Sequence, residues 1–244
     1  MIFQNFGFNR IIIPEAAGGG EVVTTGLQAY YDIGAPSGYS GSVLYDFSGL
    51  SRDATLVGGA AYSGSNGGVI DLSAADGFIG VPSSVTSALT GSDTATIMQW
   101  IKLETDPPPA DGVTGFIYMT TQTNGIGNHY PYTDDNIYTN VLKLDRPSLG
   151  NPVSNLAVWH VMTIRTSNGA NNWQMLINTT SQGTDTGLAS LAGLYGGGTY
   201  GAKIGESGAG NENLEGALGP TLIYNTRLSD SEIQQNIDYF ASRF

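Results

Sequence analysis

A two-residue rhythm, broken at short intervals by turn formers, constrains this chain more than any other feature. In 172–178, Trp173, Met175 and Ile177 alternate with Asn172, Gln174 and Asn178, and Leu176 is the single break. Successive side chains of a strand point to opposite faces, so this reads as a strand with one wet face. In 94–103, Ile97, Ile101 and Leu103 share one face while Met98 and Trp100 take the other. Apolar residues on both faces predict a central strand covered from both sides. Residues 160–166 carry Met162 and Ile164 on one face, and Ser167-Asn168-Gly169-Ala170 then reads as a hairpin turn, because Asn-Gly accepts positive φ. Further strands are expected at 22–31, 43–45, 54–57, 68–72, 77–81, 115–121, 137–144, 199–205 and 214–224. Glycine supplies much of the punctuation, 35 of 244 residues, about twice ordinary usage. Many short strands with little helix predict an all-β fold, an antiparallel β-sandwich or barrel, and ~200–250 residues commonly form one such domain.

The exception to the rhythm lies near the end. Ser229-Asp230-Ser231-Glu232 is a capping box, with Leu228 and Ile233 placed to form a hydrophobic staple around it. Ile233, Ile237, Phe240, Ala241 and Phe244 follow at helical spacing, which predicts a C-terminal helix with one apolar stripe laid on the sandwich.

Charge narrows the function classes. Nine Lys and Arg stand against 21 Asp and Glu, a net charge of −12, and charged residues are only 12% of the chain. Such a chain cannot neutralise phosphates over a broad surface, and an anionic membrane repels it, so nucleic-acid partners and membrane insertion are not expected. With no Cys there is no disulfide framework, thiol nucleophile or Cys-rich zinc site. The start lacks a basic segment ahead of its apolar residues, so synthesis without a signal peptide is expected. That start is apolar all the same. Ile2, Phe3, Phe6, Phe8, Ile11, Ile12 and Ile13 precede Pro14 and a Gly18-Gly19-Gly20 linker. Two readings fit: a strand that pairs with its own domain, or an anchoring arm that docks on a partner. The division expected is an arm and linker over 1–20 and a single domain over 21–244.

Several short motifs then follow one another in a fixed order. They are Gly26-Leu27-Gln28-Ala29-Tyr30-Tyr31-Asp32, Tyr45-Asp46-Phe47-Ser48-Gly49, Asp76-Gly77-Phe78-Ile79, and the strand from Thr96 to Lys102 with Trp100 near its end. Trp159-His160-Val161-Met162, the strand Trp173 to Asn178, Glu215-Gly216-Ala217-Leu218 and Ile223 to Ser229 complete the series. Over about residues 26–240 this order resembles laminin-G-like, concanavalin-A-like jelly-roll domains. Two departures stand out. Gly219-Pro220 interrupts the closing strand, and Pro cannot donate to a ladder, so an edge position or a bulge is expected. Asn178-Thr179-Thr180 stands where the family often has Asn-Gly, so a longer turn is expected. Domains of this family occur among bacteriophage surface proteins. The resemblance therefore implies a non-catalytic structural protein on a virus or phage particle, attached through its arm to other structural proteins, homo-oligomeric in the assembly and compatible with glycan binding. The alternatives are a carbohydrate-binding module or host-receptor adhesin and, behind it, a polysaccharide-acting enzyme.

Candidate chemistry is sparse. The related β-glucanases carry Glu-x-Asp-x-Glu on a strand, and no such triplet occurs here, so an enzyme is not expected. No Gly-x-Ser-x-Gly elbow occurs either. Of the two histidines, His160 starts a strand and reads as structural, and His129 reads as a surface residue. Residues 122–140 read as a long polar loop holding Asn128, Tyr130, Tyr132, Asp134, Asp135, Asn136 and Tyr138. Tyrosine offers a sugar ring an apolar face with a polar tip, and Asn and Asp bond hydroxyls directionally, so these are the glycan-binding candidates. The competing reading is a loop that packs its own aromatics or contacts a neighbouring subunit. No cofactor is required. The resemblance implies Ca²⁺ at a loop rim, for which Asp134 and Asp135 supply hard oxygens, against a solvated turn, since no Asp-x-Asp-x-Asp-Gly loop is present.

Overall fold

The computed structural model describes residues 20–73, 76–92, 94–104, 117–118, 126–129, 136–141, 155, 157–167, 173–185, 199–206 and 213–244. The arm residues Ile2 to Ile13 and the candidates Tyr130, Tyr132, Asp134 and Asp135 lie outside them.

Two antiparallel sheets face each other. Strands β1 (Leu27–Tyr31), β2 (Tyr39–Ser40), β3 (Val43–Leu44), β4 (Ala54–Val57), β5 (Ala61–Ser63), β6 (Val69–Asp71) and β7 (Phe78–Val81) come first. Helix α1 (Ser83–Thr90) leads into β8 (Thr94–Leu103), β9 (Ile117–Tyr118), β10 (Ile126–His129) and β11 (Tyr138–Val141). Next come β12 (His160–Ser167), β13 (Trp173–Ile177), β14 (Thr180–Asp185), β15 (Ala202–Ile204), β16 (Gly216–Tyr224) and helix α2 (Asp230–Phe240). The larger sheet has the order β14-β13-β12-β8-β16-β6-β5, with β1 also on β16. The smaller has β2-β3-β4-β7-β15-β9, and β10 and β11 form a separate hairpin. This is the all-β antiparallel sandwich with a helix near its end.

The middle of the larger sheet is buried on both faces, as the pattern of β8 predicts. Ile97, Ile101 and Leu103 enter the core between the sheets, together with Ile79, Val81, Ile204, Met162 and Ile223. Met98 and Trp100 enter a second core on the outer face, under Ile233, Tyr239 and Phe240 of α2. Leu176, the break in the rhythm of β13, belongs to this outer core, while Trp173, Met175 and Ile177 point inward. The capping box forms as expected: Ser229 accepts from the Glu232 amide and the Glu232 carboxylate accepts from the Ser229 amide. The buried stripe of α2 differs in detail, using Ile233, Asn236, Tyr239 and Phe240, with Ala241 exposed. Asn236 is buried because it has work there. Its Oδ1 accepts from the Val23 amide at 2.9 Å and its Nδ2 donates to the Tyr224 hydroxyl at 3.0 Å. Residues 22–23 therefore dock on α2, and β1 begins only at Leu27.

Of two local expectations, the longer turn after β13 is not found and the bulge at Gly219-Pro220 is. The turn after β13 is short: Ile177 pairs with Thr180, and Asn178 takes φ 56°, a conformation Asn tolerates. At Gly219-Pro220 the strand bulges, with register skipping from Leu218 to Thr221, yet β16 lies inside the sheet between β8 and β6. A bulge shifts the alternation by one, so Leu218 and Ile223 both face inward while Ala217 and Leu222 face outward. Gln99, fully buried, services the bulge. Its Nε2 donates to the Trp100 and Gly219 carbonyls at 3.1 and 3.4 Å, and its Oε1 accepts from Thr221 at 2.7 Å.

Candidate functional site

On the outer face, α2 covers only part of the sheet. Where Phe240 and Phe244 end the cover, the same face opens into a groove of about 260 Å³. The strands that floor it are in strict register. Lys102 of β8 pairs with Ala217 of β16, Ala217 pairs with Asp71 of β6, and Asp71 pairs with Ala61 of β5. Cross-strand partners share a face, so these residues form one row. Strands lie about 4.8 Å apart, which sets the Lys102 and Asp71 backbones about 10 Å apart, with the small Ala217 between them. Glu104 continues the outward positions of β8 past Lys102, its amide held by the Glu215 carbonyl at 3.0 Å.

Trp159, half-buried, forms one wall. Its ring meets the edge of Phe244 at 4.7 Å between centroids, and Phe244 meets Trp100 at 6.4 Å. A line of aromatic contacts thus runs from the outer core to the groove. The opposite wall is the 3₁₀ turn Ser65–Gly67 with Ser63 before it. Arg243 fixes that wall. Its Nε donates to the Asn66 carbonyl at 3.1 Å, Nη2 to the Gly68 carbonyl at 2.7 Å and Nη1 to Asp32 at 2.6 Å, while Asn66 Nδ2 donates to the Arg243 carbonyl at 2.6 Å.

The polar groups of the groove are largely unengaged. Among the described residues Lys102 carries no ion pair. Asp71 accepts from the Ser73 amide through Oδ1 at 2.8 Å, which leaves its other oxygen to the groove. An aromatic face beside carboxylates, an ammonium and hydroxyls can stack on a ring and bond its hydroxyl groups.

The described sequence candidates are not among the groove's lining residues. Asn128 lies on β10 and Tyr138 on β11, paired at Asn128 with Thr139 and at His129 with Tyr138. What reads in sequence as one polar loop thus includes a β-hairpin, and Ile137 beside it is fully buried in the inter-sheet core. Asn136, also described, is half-buried next to it. Tyr130, Tyr132, Asp134 and Asp135, the last two the Ca²⁺ candidates, fall outside the described residues; among the described residues no cluster of three metal-ligating side chains occurs. His160 Nε2 lies 2.9 Å from the Asn155 carbonyl at the start of β12, which fits a structural part. Sequence reasoning placed Trp159 and Lys102 only as fold landmarks. The available signal was the outward register of β8, where Met98 and Trp100 give way to Lys102 and Glu104.

No protein-family model matches the chain, and no curated protein does. Solved structures do. The Trypanosoma rangeli sialidase in complex with sialic acid matches at TM-score 0.66 and 14% identity, over 91% of this chain and 34% of the sialidase. Domain 4 of AbnA, a GH43 extracellular arabinanase from Geobacillus stearothermophilus, in complex with arabinotriose, matches at TM-score 0.63 and 17% identity, over 86% of this chain and 97% of that domain. The receptor binding domain of botulinum neurotoxin C/D mosaic serotype matches at TM-score 0.59 and 16% identity, over 90% and 52%. The chain spans about a third of the sialidase's length. At these identities the likeness defines the class of fold, an antiparallel β-sandwich, and nothing finer.

Proposed function

We propose that this chain is a non-catalytic carbohydrate-binding sandwich and that the groove beside Trp159 holds the glycan. One observation carries the reading. Trp159 flanks polar side chains that carry no ion pair among the described residues, Lys102, Glu104 and Asp71, on a floor kept low by Ala217. The likeness to an arabinanase domain solved with arabinotriose and to a toxin's receptor binding domain supports it. So does the absence of the glucanase triplet from the sequence. The test is a glycan panel with the intact chain and Trp159→Ala, read beside release of reducing sugar. Binding lost in the variant, with no sugar released by either, is the expected result. Binding unchanged in the variant removes the groove, and sugar release removes the non-catalytic part. Tyr130→Ala and Tyr132→Ala run alongside, because the segment 122–140 is the alternative glycan surface, with or without Ca²⁺.

A second reading concerns residues 1–20. The apolar run Ile2 to Ile13 followed by three glycines favours an arm that anchors the sandwich to a larger assembly, as the laminin-G-like resemblance implies for a virion surface protein. Deleting residues 1–20 should leave the sandwich folded and abolish incorporation into the assembly. Incorporation of the shortened chain ends the anchor idea.

A further inference from the structure

The groove's charges select among glycans. We propose that it takes an uncharged or amino-bearing polysaccharide and turns away sugars that carry carboxylate or sulfate groups. This rests on the reading of the groove as a glycan site. Asp71 and Glu104 face the groove, and the exposed Glu215 adjoins Glu104 through the backbone bond between them. Against these three carboxylates, Lys102 is the cation among the described lining residues. Arg243 stands behind the Asn66 wall, outside the groove's described lining, and its Nε, Nη1 and Nη2 donate to the Asn66 carbonyl, Asp32 and the Gly68 carbonyl respectively.

A planar sugar carboxylate is held best by the fork of an arginine, and the described lining residues include none. Lys102 offers a point charge, and it lies in a row with Asp71 and two residues from Glu104, so a ligand anion approaching it meets both. The net charge of −12 adds repulsion at longer range. Hydroxyl groups meet the opposite situation. Carboxylate oxygens accept from sugar hydroxyls, the Lys102 ammonium donates to them, and a sugar ammonium pairs with Asp71 or Glu104.

The experiment uses the whole chain against arabinan, mannan and xyloglucan as uncharged probes, chitosan oligosaccharides as amino-bearing ones, and sialyllactose, polygalacturonate and heparin as acidic ones. Each is measured at about 0.05 and about 0.5 M salt, which separates diffuse attraction from contact. Only binding that Trp159→Ala removes is counted. The expected result is an uncharged or amino-bearing probe bound at least about tenfold tighter than any acidic one. The double variant Asp71→Asn/Glu104→Gln changes charge at accessible positions with little change of shape. It should raise affinity for the acidic probes by about tenfold while leaving the unfolding midpoint in place. Trp159-dependent binding that favours an acidic probe, or acidic affinities unmoved by the double variant, overturns the charge selection and leaves the glycan site standing. Absence of any Trp159-dependent binding overturns both.

Discussion

The outer face of the larger sheet exists in two halves that share strands but differ in fate. Along β8, Met98 and Trp100 lie sealed under α2, while Lys102 and Glu104, the next outward positions, look into an open groove. Along β16, Leu222 and Tyr224 are sealed and Ala217 is open. The two halves meet at the Gly219-Pro220 bulge. A Cβ on Gly219 would stand 2.7 Å from Trp100 Cβ and 2.9 Å from Phe244, so glycine is what allows those rings to close the covered half there. The bulge also resets the alternation, sending Leu218 inward and Ala217 outward. An unbroken strand that kept Leu222 outward would turn Leu218 outward too and fill the groove floor. The boundary between the packed surface and the open one is thus one irregularity in one strand.

The sharpest way to break this comparison is to truncate a tryptophan on each side. Trp100→Ala removes a fully buried ring that contacts Phe240 at 4.8 Å, and should cost about 3–5 kcal/mol in urea unfolding. Trp159→Ala, on the open side, should cost under about 2 kcal/mol and abolish glycan binding. Equal losses of stability in the two variants would erase the distinction between halves.

Gln99 tests the boundary itself. Gln99→Leu keeps the volume but strips partners from the Gly219 carbonyl and the Thr221 hydroxyl, both inside the core. Leaving such groups unpaired costs about 1–3 kcal/mol. The double variant Gln99→Leu/Thr221→Val should regain part of that, because removing both polar partners together leaves fewer orphans. A double variant as unstable as the sum of its singles sinks the idea that the pair acts as a unit.

How much of this was legible beforehand follows from which forces are local. The sealed half was readable: two-faced apolar patterning in β8 announces cover on both sides, and Ser229 to Glu232 announces the helix that provides it. Helix α1 carries no such signal, because Ser83-Ser84-Val85-Thr86-Ser87-Ala88-Leu89-Thr90 is rich in poor helix formers and starts without a side-chain cap. Burial of Val85, Thr86 and Leu89 fixes it instead, with Gly201 packed so close that a Cβ would strike Ser83 and Thr86. The open half was invisible for a related reason. Trp159, Lys102 and the stretch holding Asn66 and Asp71 come from three distant parts of the chain, and only the bulge and the end of α2 bring them to one surface. The polar segment 122–140 drew attention because its residues are neighbours in sequence, a weaker relation than a shared sheet row.

Arg243 joins the halves from the far side. It follows α2, pairs with Asp32 and holds the Asn66 turn that walls the groove. Arg243→Ala should therefore cost about 1–2 kcal/mol and weaken glycan binding, whereas Arg243→Lys should restore some stability but not the three-pronged hold on the turn. Equal affinity in both variants and in the unmodified chain would show that the wall stands without it.

The smallest effect lies where the cover begins. Glu232 accepts from the Ser229 amide at 2.8 Å and its hydroxyl at 2.7 Å, and these bonds, the amide first, hold the carboxyl below its ordinary value of 4.5. A carboxyl depressed in the folded state stabilises above its unfolded value, and that contribution fades as pH falls through the lower folded value. Glu232 is near the surface, so solvent screens it and the effect is small. Ser229→Ala should cost about 0.5–1 kcal/mol at neutral pH. Glu232→Gln should be less stable than the unmodified chain at about pH 6, with the gap closing as acid protonates Glu232. Because the cap acts on α2, both variants should shift unfolding without touching groove affinity. A change in glycan binding from either would mean that the covered half transmits to the open one, and that the bulge is a weaker divide than its geometry implies.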